Sequence, residues 1–227
     1  MELSIMRTRI RGGAGWRQGE QLVAVRHGES TANVLFERGR RDGVPVVLPP
    51  GGDAEVPLSE DGWEQAARAG RWLAGQEPPD AGVVSPYLRA RQTWEGMARY
   101  AVSLPPPRVD VRLRDRDMGE LYGLNEIALR ERAPEEAARL GEWEHRPPGG
   151  ESLSDVAARV REALGELGGA RRVLVVAHDA VIVALRYVLS GGGERPVGRP
   201  WPVPNASVSR WVRDGGRMRL VAFGQRP

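Results

Sequence analysis

Two short runs place a histidine where chemistry is possible: Arg26-His27-Gly28-Glu29-Ser30 and Val175-Val176-Ala177-His178-Asp179-Ala180. Each follows an apolar run that reads as a buried strand, and each opens what reads as a helix. A helix N-terminus there offers free backbone N–H groups and the positive end of a dipole to an anion. Arg26 adds a planar fork of donors matched to phosphate oxygens, and Gly28 lets the backbone run close to the imidazole. Ser85-Pro86-Tyr87-Leu88-Arg89-Ala90-Arg91-Gln92-Thr93 puts Arg89 in the first turn of a helix after another strand. Leu113-Arg114-Asp115-Arg116-Asp117-Met118-Gly119-Glu120 gathers acids, Asp115 first, at the end of a third. Taken singly, these are a turn, a solvated arginine, an acidic loop and a core histidine. They share one location, however, the C-terminal ends of strands, where open α/β sheets bind ligands. The third of the three histidines, His145, lies in a polar, proline-flanked stretch and is expected at the surface.

The elements that position these residues follow from hydrophobic pattern and turn chemistry. Strands are expected at Gln21–Arg26, Ala81–Ser85, Arg108–Leu113 and, most apolar of all, Arg172–Ala177. A helix can start after Gly28 and run to Arg40, followed by a Gly/Pro-rich loop over Gly43–Asp53. Ser59 caps a helix in which Trp63, Ala66, Ala67, Gly70 and Leu73 recur at helical spacing. Ser85-Pro86 reads as an N-cap with proline in the first turn, for a helix to about Tyr100. Helical segments follow over Asn125–Glu142, interrupted near Pro134, and Ser152 or Ser154 caps another with Val156, Val160, Leu164 and Leu167 as one stripe. Asp214-Gly215 between two apolar runs marks a terminal hairpin. Strands alternating with helices imply a three-layer α/β/α sandwich: a mostly parallel sheet covered on both faces, with an antiparallel C-terminal edge. Residues 1–20 read as a flexible leader and residues 21–227 as one domain.

Composition narrows the function classes. The 227 residues are 41% hydrophobic and 28% charged, as in a soluble globular protein. Without cysteine there is no disulfide, thiolate catalysis or Cys-ligated metal; the chain suits the cytoplasm, where it is expected. The net charge is +3 and every cation among the 33 Lys+Arg is arginine. These arginines are scattered among nearly equal numbers of acids, so no nucleic-acid partner is expected. No run approaches the roughly 18 apolar residues of a membrane span. Trp63, Trp94 and Trp211 fall at apolar positions and read as core, although seven tryptophans and the Val34–Pro57 loop could also build a homodimer surface.

The ordered motifs resemble the histidine phosphatase superfamily, in the branch that holds cofactor-dependent phosphoglycerate mutases and related phosphatases. Arg26–Ser30 with Asn33, Pro57–Ala66, Ser85–Thr93, Gly150–Ser152 and His178 carry the resemblance, which spans roughly Leu22 to Phe223. It implies that His27 is a nucleophile for phosphorus, and the local chemistry agrees, since a neutral imidazole can attack when its other nitrogen's proton is held. Arg26, Arg89 and His178 would surround the phosphoryl group, with Asn33 adding a donor. The arginines supply charge that a metal would otherwise bring, so no metal and no other cofactor are expected. A carboxyl group must protonate the leaving oxygen and then activate water. The resemblance puts Asp115 at a position that is usually Glu, one methylene longer. Asp179, directly after the late histidine, is the rival.

The resulting expectation is a metal-independent phosphatase acting on a small phosphorylated metabolite through a phosphohistidine. A mutase-like phosphotransferase and a catalytically weak phospholigand-binding module are the alternatives. Specificity should come from the Val34–Pro57 loop and the Leu124–Gly149 segment, roofing the crevice. Arg38, Arg40, Arg41, Arg130 and Arg132 in those segments would favour a substrate with a second anionic group.

Overall fold

The computed structural model describes residues 20–167, 169–193, 195 and 203–227. The expected leader over residues 1–20 falls, apart from Glu20, outside them. The chain begins with β1 (Gln21–Arg26) and α1 (Thr31–Asp42), then α2 (Glu60–Ala74), β2 (Ala81–Val84), α3 (Leu88–Ala98) and the short β3 (Arg108–Val109). It continues through α4 (Glu126–Arg132), α5 (Pro134–Arg139), α6 (Leu153–Gly165), β4 (Arg172–Ala177), α7 (Asp179–Leu189), β5 (Val208–Asp214) and β6 (Arg217–Gln225). The six strands form one sheet in the order β3-β2-β4-β1-β5-β6. β1, β2, β3 and β4 run parallel, and β5 and β6 add the antiparallel edge.

Alternation along the central strands builds two cores. Leu22 and Ala24 of β1 and Val173, Val175 and Ala177 of β4 face α6 and α7, meeting Val156, Val160, Ile182 and Leu185. The intervening Val25, Leu174 and Val176 face α2 and α3, meeting Ala69, Leu73, Trp94 and Met97. The period of two in β4, apolar throughout Val173–Ala177, is what a parallel strand buried on both faces requires. The fold is therefore the three-layer α/β/α arrangement expected. Trp94 and Trp211 are buried as anticipated, whereas Trp63 is half-buried beneath the Arg99 guanidinium, 4.9 Å from its ring centre.

Four local expectations shift. The third strand ends at Val109, because the Asp110 side chain accepts the Arg112 N–H (3.0 Å) and starts a 3-10 turn over Val111–Leu113. α3 starts at Leu88 with no side-chain cap; Ser85 stays outside it with its hydroxyl 2.8 Å from His178 Nε2. The hairpin turn is Gly215-Gly216, both at positive φ (54° and 86°), with Asp214 paired to Arg217; two left-handed residues suit the twist of the strands. His145 is buried, its Nε2 2.8 Å from Glu136 Oε2, so a partner on α5 removes it from the surface. Elsewhere the caps act as the residue types imply. Ser30 and Asn33 form a capping box on α1, and Ser59 and Ser152 cap α2 and α6; each such cap contributes about 1 kcal/mol.

Candidate active site

Arg26 pairs in register with Ala177 across β1 and β4, so His27 and His178 leave adjacent strand ends side by side. Their ring centres are 5.1 Å apart. The His27 N–H donates to the Ala177 carbonyl (2.9 Å), and the His27 carbonyl accepts from Ala206 N–H (3.1 Å) and Asn205 Nδ2 (3.2 Å). Gly28 donates its N–H to Thr93 Oγ1 (2.9 Å), which ties the turn to α3. The need for glycine here is not the imidazole but α2: a Cβ on Gly28 would meet the Gly62 carbonyl oxygen at 2.5 Å.

His27 is buried, and its Nδ1–H donates to the Gly28 carbonyl at 2.7 Å. A carbonyl can only accept, so Nε2 is the nitrogen left with a lone pair. Burial, then the charges of Arg26, His178 and Arg89, hold His27 well below the usual imidazole range, against the opposing pull of the Gly28 carbonyl. The ring is therefore neutral at neutral pH and presents a bare nitrogen to the cavity.

Arg89, on α3 and buried, is held between two carboxylates. Its Nη1 donates to the Asp53 carbonyl (2.6 Å) and Oδ1 (3.0 Å), and its Nη2 to Asp115 Oδ2 (2.9 Å). The same Asp115 oxygen lies 3.2 Å from His178 Nδ1, but off the line of a hydrogen bond, so that buried nitrogen has no aligned partner. Arg26 Nη1 donates to the Val203 carbonyl (2.6 Å), while its buried Nε is also unpartnered. Unmatched buried polar atoms are uncommon in folded proteins; two of those among the described residues, on Arg26 and His178, lie beside His27.

Burial would raise the Asp115 carboxyl, but His178, Arg89 and His27 together hold it well below the carboxylate range. Burial pushes the Asp53 carboxyl up, with Asp115 adding to that against Arg89. Asp179 sits apart: its Oδ1 accepts its neighbour Ala180 N–H (2.7 Å), its Oδ2 is 3.9 Å from Arg26 Nη2, and its side chain is 52% exposed. Asn33 Oδ1 is taken by Ser30 and Asn205 (3.0–3.2 Å), although the residue does line the cavity. Donor atoms of His27, Asp115 and His178 lie within 4.8 Å of one another, close enough to hold a metal ion. The two guanidiniums of Arg26 and Arg89 beside them make a field that favours an anion over a cation.

Of these groups all but the fully buried His178 line a cavity of about 310 Å³. Its roof is not the one expected. Phe36, Leu48 and Asp53 come from the first segment named above, but only Leu124 comes from the second; Met118, Leu121, Tyr122 and Gly123 after Asp115 supply the rest. Arg38, Arg40, Arg41, Arg130 and Arg132 are all absent from its lining. Arg38 and Arg41 pair with Asp42, Arg40 with Glu37 and Arg130 with Glu126, along or beside their own helices.

Three residues that sequence reasoning passed over hold the site in shape. Asp53 reaches Arg89 from a loop 36 positions away. Arg116, buried, donates to the carbonyls of Glu151, Leu140 and His145. Arg159 on α6 donates to the carbonyls of Arg112, Arg114 and Asp115 and to Glu151, fixing the backbone that carries Asp115. An arginine beside the apolar stripe of α6 was the available signal for the last.

Residues 22–226 match the family described as the histidine phosphatase superfamily (branch 1). A 2,3-bisphosphoglycerate-dependent phosphoglycerate mutase of Rhizobium etli is 33% identical over 73% of this chain and 78% of its own. One of Methylorubrum populi is 38% identical over 75% and 79%. Among solved structures, mycobacterial glucosyl-3-phosphoglycerate phosphatase superposes with a TM-score of 0.74 at 29% identity, covering 91% of this chain and 99% of its own. No helix among the described residues is long and apolar enough to cross a membrane.

Proposed function

We propose, for a chain that belongs to branch 1 of the histidine phosphatase superfamily, that it is a metal-independent phosphatase of small phosphomonoesters working through phosphohistidine on His27. The observation that carries this reading is His27 itself: a buried, neutral imidazole with Nδ1–H on the Gly28 carbonyl, Nε2 open, and two arginines and a histidine around it.

In the first step His27 Nε2 bonds to phosphorus in line with the ester oxygen, whose bond to phosphorus breaks. Arg26 Nε, His178 Nδ1 and the Arg89 guanidinium take the three equatorial oxygens, where charge is spread in the transition state. The departing alkoxide takes a proton from Asp115. In the second step Asp115 accepts a proton from water, the water oxygen bonds to phosphorus, and the phosphorus–nitrogen bond breaks, releasing phosphate and the free imidazole. Asp115 is anionic in the free site; a phosphate dianion seated against it raises its affinity for the proton it must donate. Asp115 suits this role better than Asp179, because it lies against both histidines while Asp179 turns to its own helix.

The curated relatives' names favour a second reading, a phosphoglycerate mutase. Inorganic phosphate release from a panel of phosphomonoesters, with chelator present, tests both for the wild type and His27→Ala. Release that the chelator leaves intact and His27→Ala abolishes is the expected result. Isomerisation of 3-phosphoglycerate without phosphate release would establish the mutase instead, and release that survives in His27→Ala would remove His27 as nucleophile.

A further inference from the structure

Beyond the phosphate seat the cavity changes character. Phe36, Leu48, Met118, Tyr122 and Leu124 line it, with the Leu48 N–H bonded to the Gly123 carbonyl (2.8 Å). The three arginines of the lining are all committed. Arg26 and Arg89 frame the seat, and Arg116 gives its donors to three main-chain carbonyls. Three carboxylates share that lining, and they are the partners of those arginines: Asp53 and Asp115 are bonded to Arg89, and Asp179 Oδ2 lies 3.9 Å from Arg26. A leaving group bearing a carboxylate or second phosphate would thus meet apolar side chains, with every guanidinium of the described lining already hydrogen-bonded. Burying an unpaired charge there is opposed by desolvation.

The larger neighbouring cavity, about 670 Å³, shares Arg26, Asn33, Phe36 and Leu124 with the first. It does not reverse the argument. Arg40 there is bonded to Glu37 and Arg68 pairs with Glu64 at 3.8 Å; Arg226 lines this larger space but not the 310 Å³ cavity, and Glu29, Glu37 and Glu126 line it too.

From this distribution we infer that the site selects phosphomonoesters whose leaving group is uncharged and largely apolar, an aryl or alkyl alcohol, and discriminates against leaving groups that carry an anion. This rests on the phosphatase reading and deepens it. The discrimination is built from the cost of burying an unpaired charge, an unfavourable element set against the wrong ligand.

A size-matched pair tests it: phenyl phosphate against 4-carboxyphenyl phosphate, compared by kcat/KM. Phenyl phosphate should be favoured by about tenfold or more, the scale on which a single unfavourable group in an apolar pocket discriminates. Leu124→Arg and, separately, Leu48→Arg should each shrink that ratio severalfold by giving the carboxylate a partner; two positions guard against one variant failing to fold. Inhibitor binding of phenylphosphonate and 4-carboxyphenylphosphonate reads the same preference without turnover. Equal turnover and equal binding of the pair, or preference for the carboxylated member, would overturn the inference while leaving the phosphatase reading intact. Preferential binding of the neutral phosphonate with no hydrolysis of any ester would uphold the inference and overturn the phosphatase.

Discussion

Asp115 and Arg89 are joined by a 2.9 Å bond from Nη2 to Oδ2, and the same oxygen faces His178 Nδ1 at 3.2 Å. In the reaction we propose, an arriving phosphate dianion would take over Arg89 and His178, and the carboxyl that loses them would gain affinity for a proton. On that reading one group serves as an anion at rest and an acid in the complex.

If Asp115 protonates the leaving oxygen, its removal should hurt in proportion to how poor the leaving group is. Asp115→Asn should cost about 10²–10⁴-fold in kcat on alkyl phosphates, the usual scale of general acid catalysis. Aryl phosphates with acidic phenols should lose far less. Rates across a series of graded leaving groups, for wild type and Asp115→Asn, give the slope; parallel slopes would assign the proton to another group.

The state of His27 should be visible directly. With three histidines in the chain, ring-nitrogen NMR can resolve each one. His27 should appear as the Nδ1–H tautomer, its proton on the Gly28 carbonyl. Its pKa is lowered, so the neutral nucleophile is present above that lowered value and is lost only as pH falls through it, well under 6.5. The His27 resonances should stay constant from pH 8 to 6.5. A titration centred at or above 6.5 would contradict the geometry.

The close approach of β1's turn to α2 makes a different forecast. A methyl group on Gly28 meets the Gly62 carbonyl oxygen at 2.5 Å, and one on Gly62 meets the Glu29 carbonyl oxygen at 2.0 Å. Either contact forces main chain apart, a strain of about 1–3 kcal/mol by the usual scale of overpacking. Gly28→Ala should lower the urea midpoint and, because His27 is next to it, reduce kcat by more than the lost fraction of folded protein explains. An unchanged midpoint and kcat would mean that the helix yields freely.

Much of the frame was legible from local pattern. The apolar run Arg172–Ala177 and the Ser59 and Ser152 caps act through neighbours within a turn, so residue type and spacing suffice. His27, Arg89, Asp115 and His178 were expected together because each was read near the C-terminal end of a strand, and their side chains do meet. What remained hidden depends on distant partners. His145 is buried by Glu136, Ser85 is drawn from a cap to His178, and Asp53 meets Arg89 across 36 positions. None of the five arginines expected to bind a second anion lines the 310 Å³ cavity, for a related reason in most of them: a helix offers its own Glu and Asp three or four residues away. Arg38, Arg40 and Arg130 are paired in this way and Arg41 with its neighbour Asp42.

Arg159 shows what such hidden partners are worth. It is buried on α6, bonded to Glu151 at 3.0 Å and to the carbonyls of Arg112, Arg114 and Asp115. Arg159→Met keeps the length of the side chain and removes the charge, leaving Glu151 to Arg114 and the Asp117 N–H, and three carbonyls short of a donor. Breaking a buried pair from one side costs about 3–5 kcal/mol, and at roughly 2–4 °C per kcal/mol for a chain of this size the Tm should fall by about 6–20 °C. Because the freed backbone carries Asp115, kcat on alkyl phosphates should also fall below the temperature of unfolding, with aryl phosphates spared. Arg159→Lys, which restores a charge but not the fork, should recover part of the Tm and little of the alkyl-phosphate kcat. A Tm loss with both substrate classes equally affected would make Arg159 a structural residue with no share in placing Asp115.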